Sequence, residues 1–164
     1  MSIKSIAAKL FAKHITKKMA NWSSKPIETQ QRVFETLIAS ASETQFGKDH
    51  HFETISTPEA FRKNVPIRDY EALKPYIDQV VEGVPNILWP GKPLYFAKTS
   101  GTTSGAKYIP LTKASMPTHI NAARNAILCY IAETGRSKFV DGKMIFLQGN
   151  PKLEEKNGIK LGRL

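Results

Sequence analysis

The stretch YFAKTSGTTSGAKYIPLT, residues 95–112, constrains the fold of this chain more than any other part of it. Its flanking segments, LYFAK and KYIPL, have the apolar and aromatic composition of short β-strands. A reversal between two strands needs one or two glycines, but this loop also carries five hydroxyl residues and a lysine. The candidate binding residues are Thr99, Ser100, Gly101, Thr102, Thr103, Ser104, Gly105 and Lys107. The segment predicts two strands joined by a loop with a binding role.

Phosphate is the ligand that this loop chemistry suits best. Glycine lets main-chain N–H groups approach an anion closely, hydroxyl groups donate hydrogen bonds to it, and lysine adds a compact positive charge. The Walker pattern does not fit, since counting from Gly101 places Ala106 where its second glycine belongs and Tyr108 where its magnesium-binding hydroxyl belongs. The alternative is a Ser/Thr-rich hairpin loop whose hydroxyls bond only to neighbouring main chain.

The rest of the chain predicts an α/β fold with a helical preface. Helices are expected over about residues 1–83, with Ser24 capping the second helix, Thr57 and Asp69 capping later ones, and Pro75 breaking or restarting the last. Residues of about 93–149 are expected to form strand, loop, strand, a long helix over Lys113 to Thr134, and a short buried strand in KMIFLQG. Residues 150–164 are predicted to be a polar, turn-rich tail.

The first helix is basic and amphipathic. Six lysines precede the first carboxylate, Glu28, and the remaining chain contributes only +4 of the net +10. Its predicted apolar face carries Ile3, Ile6, Ala7, Leu10 and Phe11, with His14 packed on the same side. We expect this face to dock on a core. A non-catalytic basic module that binds nucleic acid or an anionic membrane through Lys9, Lys13 and Lys17 is the alternative.

Composition limits the other possibilities. A single cysteine, Cys129, excludes an internal disulfide and a cysteine-based zinc site, which favours a cytoplasmic location, and its expected role is that of a small apolar side chain on a helix. Adjacent His50 and His51 would point in different directions and make a poor metal pair, so no metal site is predicted. No apolar run reaches the roughly 20 residues that a membrane helix needs. The sequence does not predict an oligomeric state.

Three blocks in order identify a family resemblance. The loop TSGTTSGAKYIPLT resembles the phosphate loop of adenylate-forming enzymes. Together with FRKNVPIRDYEALKPYIDQVVEG and GNPKLEEKNGIKLGRL, it is similar to the auxin-responsive promoter family of acyl acid–amido synthetases, especially its bacterial members. The resemblance runs from about Pro26 to the end. Ala106 stands where the usual loop has a proline before its lysine.

This resemblance implies a reaction in two halves. A carboxylic acid attacks the α-phosphate of ATP to give an acyl-adenylate and pyrophosphate, and an amine, typically an amino acid, then forms the amide and releases AMP. Residues Thr99 to Gly105 and Lys107 would hold the ATP phosphates, assisted by Mg²⁺, and no nucleic acid partner is expected. Family members are much longer, so residues 1–164 are expected to be an amino-terminal part of the adenylating domain, inactive alone. The acid and the amine are not predicted.

Overall fold

A computed structural model describes residues 2–99, 106–143, 145 and 153–163, and the side chain of Arg163 is not described. Helices precede a small mixed sheet, and the predicted α/β class is confirmed. The helices are α1 (Ile3–Ser23), α2 (Pro26–Ala41), α3 (Gln45–Asp49), α4 (Pro58–Asn64), α5 (Tyr70–Val81) and α6 (Met116–Thr134), with 3₁₀ turns at Phe52–Thr54 and Lys138–Asp141. The strands are β1 (Tyr95–Thr99), β2 (Lys107–Leu111), β3 (Glu154–Lys156) and β4 (Ile159–Arg163).

The chain divides into two compact units. The first unit contains residues 1–30 and 114–147, and the second contains residues 31–113 and 148–164. In the first unit α1 packs against α6, so the expectation that α1 docks on a core is confirmed.

The face of α1 that docks is not the predicted one. Its buried and half-buried positions are Ser5, Ala8, Ala12, Ile15 and Met19, whereas Ile3 is 87% exposed, Leu10 is 66% exposed and His14 is also exposed. The 3–4–3–4 spacing of the observed face extends along nearly the whole helix and lets two alanines bring α6 close. The predicted face ended at His14, whereas the observed one reaches Met19, so the predicted face could bury less surface.

Two predicted helix boundaries are wrong for local reasons. Ser24 does not cap α2, because α1 continues through Ser23 and Ser24 has helical backbone angles (φ −71°, ψ −14°), whereas an N-cap needs an extended residue. Pro75 does not interrupt α5. Because proline has no N–H, only the Glu71 carbonyl loses its helical hydrogen bond. That carbonyl lies in the first, exposed turn of α5, where water can reach it. The caps predicted at Thr57 and Asp69 are confirmed, each accepting a main-chain N–H.

The sheet of the second unit has the order β2–β1–β4–β3. Strand β1 is antiparallel to β2 and parallel to β4, with Phe96 beside both Pro110 and Leu161. This face packs on α5 through Ile77 and Val80. On the opposite face Tyr95 lies over Gly162, where an added Cβ would be 1.8 Å from the Tyr95 hydroxyl oxygen. Gly162 is therefore required because the tyrosine occupies its side-chain space.

The carboxy-terminal segment differs from the predicted polar tail. Residues 154–163 form a hairpin, β3–β4, whose turn is Asn157-Gly158 with φ of 51° and 78°. Asn-Gly is the favoured pair for such a turn, and the alternation of Ile159 and Leu161 buries one side of β4. The Asn157 amide also donates to the Val81 carbonyl at the end of α5, 2.8 Å away. The strand predicted in KMIFLQG lies mostly outside the described residues.

A third apolar cluster joins α2, α3, the first 3₁₀ turn and α4. Ile38, Ala41, Phe52 and Ile55 form its buried part. Gly47 permits the approach of α3 to the end of α2, because a Cβ there would lie 2.1 Å from the Ala41 carbonyl oxygen.

Candidate functional site

The predicted loop lies at the end of the β1–β2 hairpin. Thr99 and Lys107 form the last residue pair of the antiparallel ladder, so they face one another across the mouth of the loop. Both side chains are half-buried. The structure thus confirms two strands on either side of the loop and brings together the first and last of the predicted site residues.

The remaining predicted site residues, Ser100, Gly101, Thr102, Thr103, Ser104 and Gly105, lie outside the described residues. Their role as phosphate ligands stays a prediction.

Tyr70, a residue that the sequence did not single out, anchors the exit from the loop. The main-chain N–H of Tyr108 donates to the Tyr70 hydroxyl oxygen over 2.9 Å, and the Lys107 ammonium lies 5.2 Å from the centre of the same ring. Strand β2 is at the edge of the sheet, so the tyrosine satisfies a main-chain donor that no strand pairs. One side chain from the start of α5 therefore holds both the main chain and the cation of the loop exit. No local pattern could reveal this contact, which joins residues 38 positions apart.

The cation Lys98 lies at the end of the sheet where the loop begins. The carboxyl ends of β1 and β4 meet there because these strands are parallel, and residue 98 is in register with residue 163. The only carboxylate within 4 Å of the Lys98 ammonium among the described residues is Glu154, at 3.9 Å, and its side chain is 71% exposed. Ligands of α/β proteins bind outside the carboxyl ends of strands. The described surroundings of the loop thus suit an anion.

Other candidate residues have structural explanations. The His50 ring is buried, stacks on Phe46 at 4.1 Å between centroids, and bonds to the Phe46 carbonyl. Cys129 is half-buried with its sulfur 3.7 Å from that of Met19, as expected for a small apolar side chain. Across the described ranges, no three His, Cys, Asp or Glu side chains are arranged to hold a metal ion.

The pKa of Tyr76, a half-buried side chain of α5, is clearly shifted. Burial, followed by the hydrogen bond from its hydroxyl to the Asp49 carboxylate at 2.8 Å, raises the pKa of Tyr76 above its ordinary value of 10.0. The Arg68 guanidinium lies 5.8 Å from the ring centre and opposes this shift. These contacts stabilise the α3–α5 junction and lie away from the loop in sequence.

None of the helices that the structure describes combines the length and apolar character needed to cross a membrane.

Three curated relatives resemble this chain. Indole-3-acetic acid-amido synthetase GH3.15 of Arabidopsis thaliana is 30% identical over 96 residues, which make up 57% of this chain and 16% of that protein. Probable indole-3-acetic acid-amido synthetase GH3.13 of Oryza sativa subsp. japonica is 33% identical over 51% of this chain and 17% of its own length. The 4-substituted benzoates-glutamate ligase GH3.12 of Arabidopsis thaliana is 30% identical over 56% of this chain and 16% of its own length. The chain thus spans about a sixth of these relatives.

Solved structures agree on the fold. The GH3.15 acyl acid amido synthetase superposes with a TM-score of 0.75 at 19% identity, covering 90% of this chain and 27% of that one. The AtGH3.15 acyl acid amido synthetase in complex with 2,4-DB superposes with a TM-score of 0.70 at 21% identity. That match covers 80% of this chain and 23% of the other. The model of the GH3 family N-terminal domain matches residues 15–164. The predicted resemblance to acyl acid–amido synthetases is thereby confirmed, and the chain belongs to the GH3 family, matching its N-terminal domain.

Proposed function

We propose that this chain supplies the phosphate-binding loop of an ATP-dependent ligase that joins a carboxylic acid to an amine. In this reaction the acid displaces pyrophosphate from ATP to give an acyl-adenylate, and an amino acid or another amine then displaces AMP. The family match over residues 15–164 supports the reaction class. The pairing of Thr99 with Lys107 at the two ends of the loop is the single structural observation that supports its placement.

The described residues suit a nucleoside triphosphate, because they offer positive charge and a hydroxyl hydrogen-bond donor. Lys98 and Lys107 flank the loop, and Thr99 adds a hydroxyl at its entry. Residues 100–105 would add further hydroxyls and main-chain N–H groups for the β- and γ-phosphates. Charge-assisted donors of this kind stabilise the departing pyrophosphate. Mg²⁺ bound to the phosphates would neutralise part of their charge.

Tyr70 gives the loop exit a fixed position in this proposal. Because its ring holds the Lys107 ammonium and its hydroxyl holds the Tyr108 N–H, the cation is oriented before a ligand arrives. Such pre-organisation reduces the ordering cost of binding.

Binding of MgATP to this chain tests the proposal. In an isothermal titration, Thr102→Ala and Thr103→Ala should each weaken binding by roughly 10- to 100-fold, since hydrogen bonds to charged groups contribute about 1.5–3 kcal/mol. The matched control is Thr118→Ala, an exposed threonine on α6. Equal affinities of the wild-type, Thr102→Ala and Thr103→Ala chains would refute the phosphate-loop assignment.

The chemistry itself needs a second assay. In a protein that joins this chain to the remaining length of a family member, ATP–pyrophosphate exchange should depend on an added carboxylic acid. Absence of exchange across a broad panel of acids, in a protein that binds MgATP, would refute the adenylating step while leaving the loop assignment intact.

The basic-module alternative has one observation in its favour. The first unit carries ten lysines and arginines against three carboxylates, a net +7 of the chain's +10. A salt titration of polyanion binding separates the two functions, because a nucleic-acid or membrane module loses affinity steeply with salt. Reversing the charges of Lys9, Lys13 and Lys17 would remove that salt dependence and leave MgATP binding unchanged.

A further inference from the structure

A cleft of about 480 Å³ in the first unit lies beside the start of α1 and the segment that follows α6. The residues that line it include two serines, Ser5 and Ser137, and three basic residues, Lys9, Arg136 and Lys138. All of these residues belong to the first unit. A volume of this order suits a small organic ligand.

The three cations that line the cleft have no carboxylate within 4 Å among the described residues. Asp141, the acidic residue closest in sequence to Lys138, instead accepts a hydrogen bond from the Ser2 hydroxyl. Three uncompensated positive charges around one concave surface concentrate a positive potential there. The cleft therefore favours an anion.

The two serines provide a buried donor. Ser5 is 1% exposed and Ser137 is 2% exposed, and their oxygens lie 2.5 Å apart. One hydroxyl proton forms this hydrogen bond, and the other has no acceptor among the described residues. An anion in the cleft would accept a hydrogen bond from that second proton.

An aromatic pair completes the lining. Tyr130 and Phe139 lie 6.0 Å apart between ring centroids and both border the cleft. They are 45% and 37% exposed, which leaves their faces open to a planar group.

We propose that this cleft binds a phosphate monoester of an aromatic alcohol. Its phosphate would accept hydrogen bonds from Arg136, Lys9 and the serine pair, and its ring would pack on Tyr130 and Phe139. A dianionic phosphate matches three cations better than a singly charged carboxylate does. The site is independent of the hydroxyl-rich loop and of the function proposed for it.

Phenyl phosphate is the probe, titrated into the ¹⁵N-labelled full chain while amide resonances are followed by two-dimensional NMR. We expect saturable shifts at residues 136–139, and binding at least twofold tighter than that of inorganic phosphate or benzoate. Arg136→Gln should weaken binding by about 10- to 100-fold, as for loss of a charge-assisted hydrogen bond. Lys18→Gln, which removes an exposed charge of α1 outside the cleft, should change the affinity less than twofold.

Several results would overturn the proposal. One is no saturation up to about 10 mM, where a 1 mM site would be nine-tenths filled. Another is equal weakening by Lys18→Gln and Arg136→Gln, which would mean non-specific attraction. Tighter binding of benzoate would refute the phosphate assignment. If Thr103→Ala abolished binding and Arg136→Gln did not, the probe would bind the loop and not the cleft. Failure of the loop to bind MgATP would refute the loop assignment alone and would not affect the cleft proposal.

Discussion

Replacing Tyr70 by phenylalanine isolates one hydrogen bond at the loop exit. The change removes the hydroxyl that accepts the Tyr108 N–H over 2.9 Å and keeps the ring over which the Lys107 ammonium lies. We expect the second unit to lose stability and the hairpin end to loosen, while the charge beside the loop stays in place.

The size of the loss follows from the position of Tyr108. A net main-chain hydrogen bond contributes about 0.5–1.5 kcal/mol, and a fully buried donor left without a partner costs more. Tyr108 is half-buried, so water can reach the freed N–H in part. We therefore expect a loss of about 1 kcal/mol in the free energy of unfolding, which with a slope of about 2 kcal/mol/M lowers the urea midpoint by about 0.5 M.

The two tryptophans, one in each unit, allow the assay to be confined to the second unit. Trp22 lies at the end of α1 and Trp89 packs against the third apolar cluster, so a Trp22→Phe background leaves Trp89 as the only tryptophan reporter. The matched control is Tyr130→Phe, since the Tyr130 hydroxyl has no hydrogen-bond partner among the described residues. A midpoint unchanged within 0.1 M, or an equal shift in the control, would refute the anchoring role of Tyr70.

Three other substitutions test the packing of the second unit. Gly47→Ala should destabilise the chain by about 3 kcal/mol in thermal unfolding, because its Cβ would press on the Ala41 carbonyl 2.1 Å away. Asn157→Ala should cost about 1–2 kcal/mol in urea unfolding, since it removes the bond to Val81 and places alanine at φ 51°. Tyr76→Phe should flatten the fall in stability above pH 10. The folded state holds the Tyr76 proton more tightly than the unfolded state does, so its contribution is complete below about pH 10 and is lost as pH rises through the raised pKa.

Each of these has a control and a contrary result. Gly142→Ala should be nearly neutral, since its φ of −94° suits any residue and the nearest atom is 3.5 Å from the new Cβ; an equal cost at both glycines would contradict the close-approach explanation. Asn157→Gly keeps the turn and loses the amide, so it should recover part of the Asn157→Ala loss. An unchanged slope above pH 10 in Tyr76→Phe would contradict the assigned shift.

Local sequence signals predicted much of the second unit. The caps at Thr57 and Asp69 and the strands on either side of the loop depend on residues a few positions apart, which is the range over which such patterns act. The docking face of α1 could not be chosen from its own periodicity, because a longer and weaker repeat centred on Ala12 buries more against α6. The anchoring of Lys107 by Tyr70 and the contact of Asn157 with Val81 join distant segments, so only the fold reveals them.

The pairing of β1 with β4 has a consequence for how the protein is made. Phe96 meets Leu161 about 65 positions further along the chain, so the ribosome must synthesise all of α6 before β1 has both neighbours. Until β4 emerges, the nascent chain leaves Phe96 and the apolar side of α5 without their cover. Chaperones that recognise exposed hydrophobic segments would find their substrate during that interval, and a ribosome that stalls before Ile159 would prolong it.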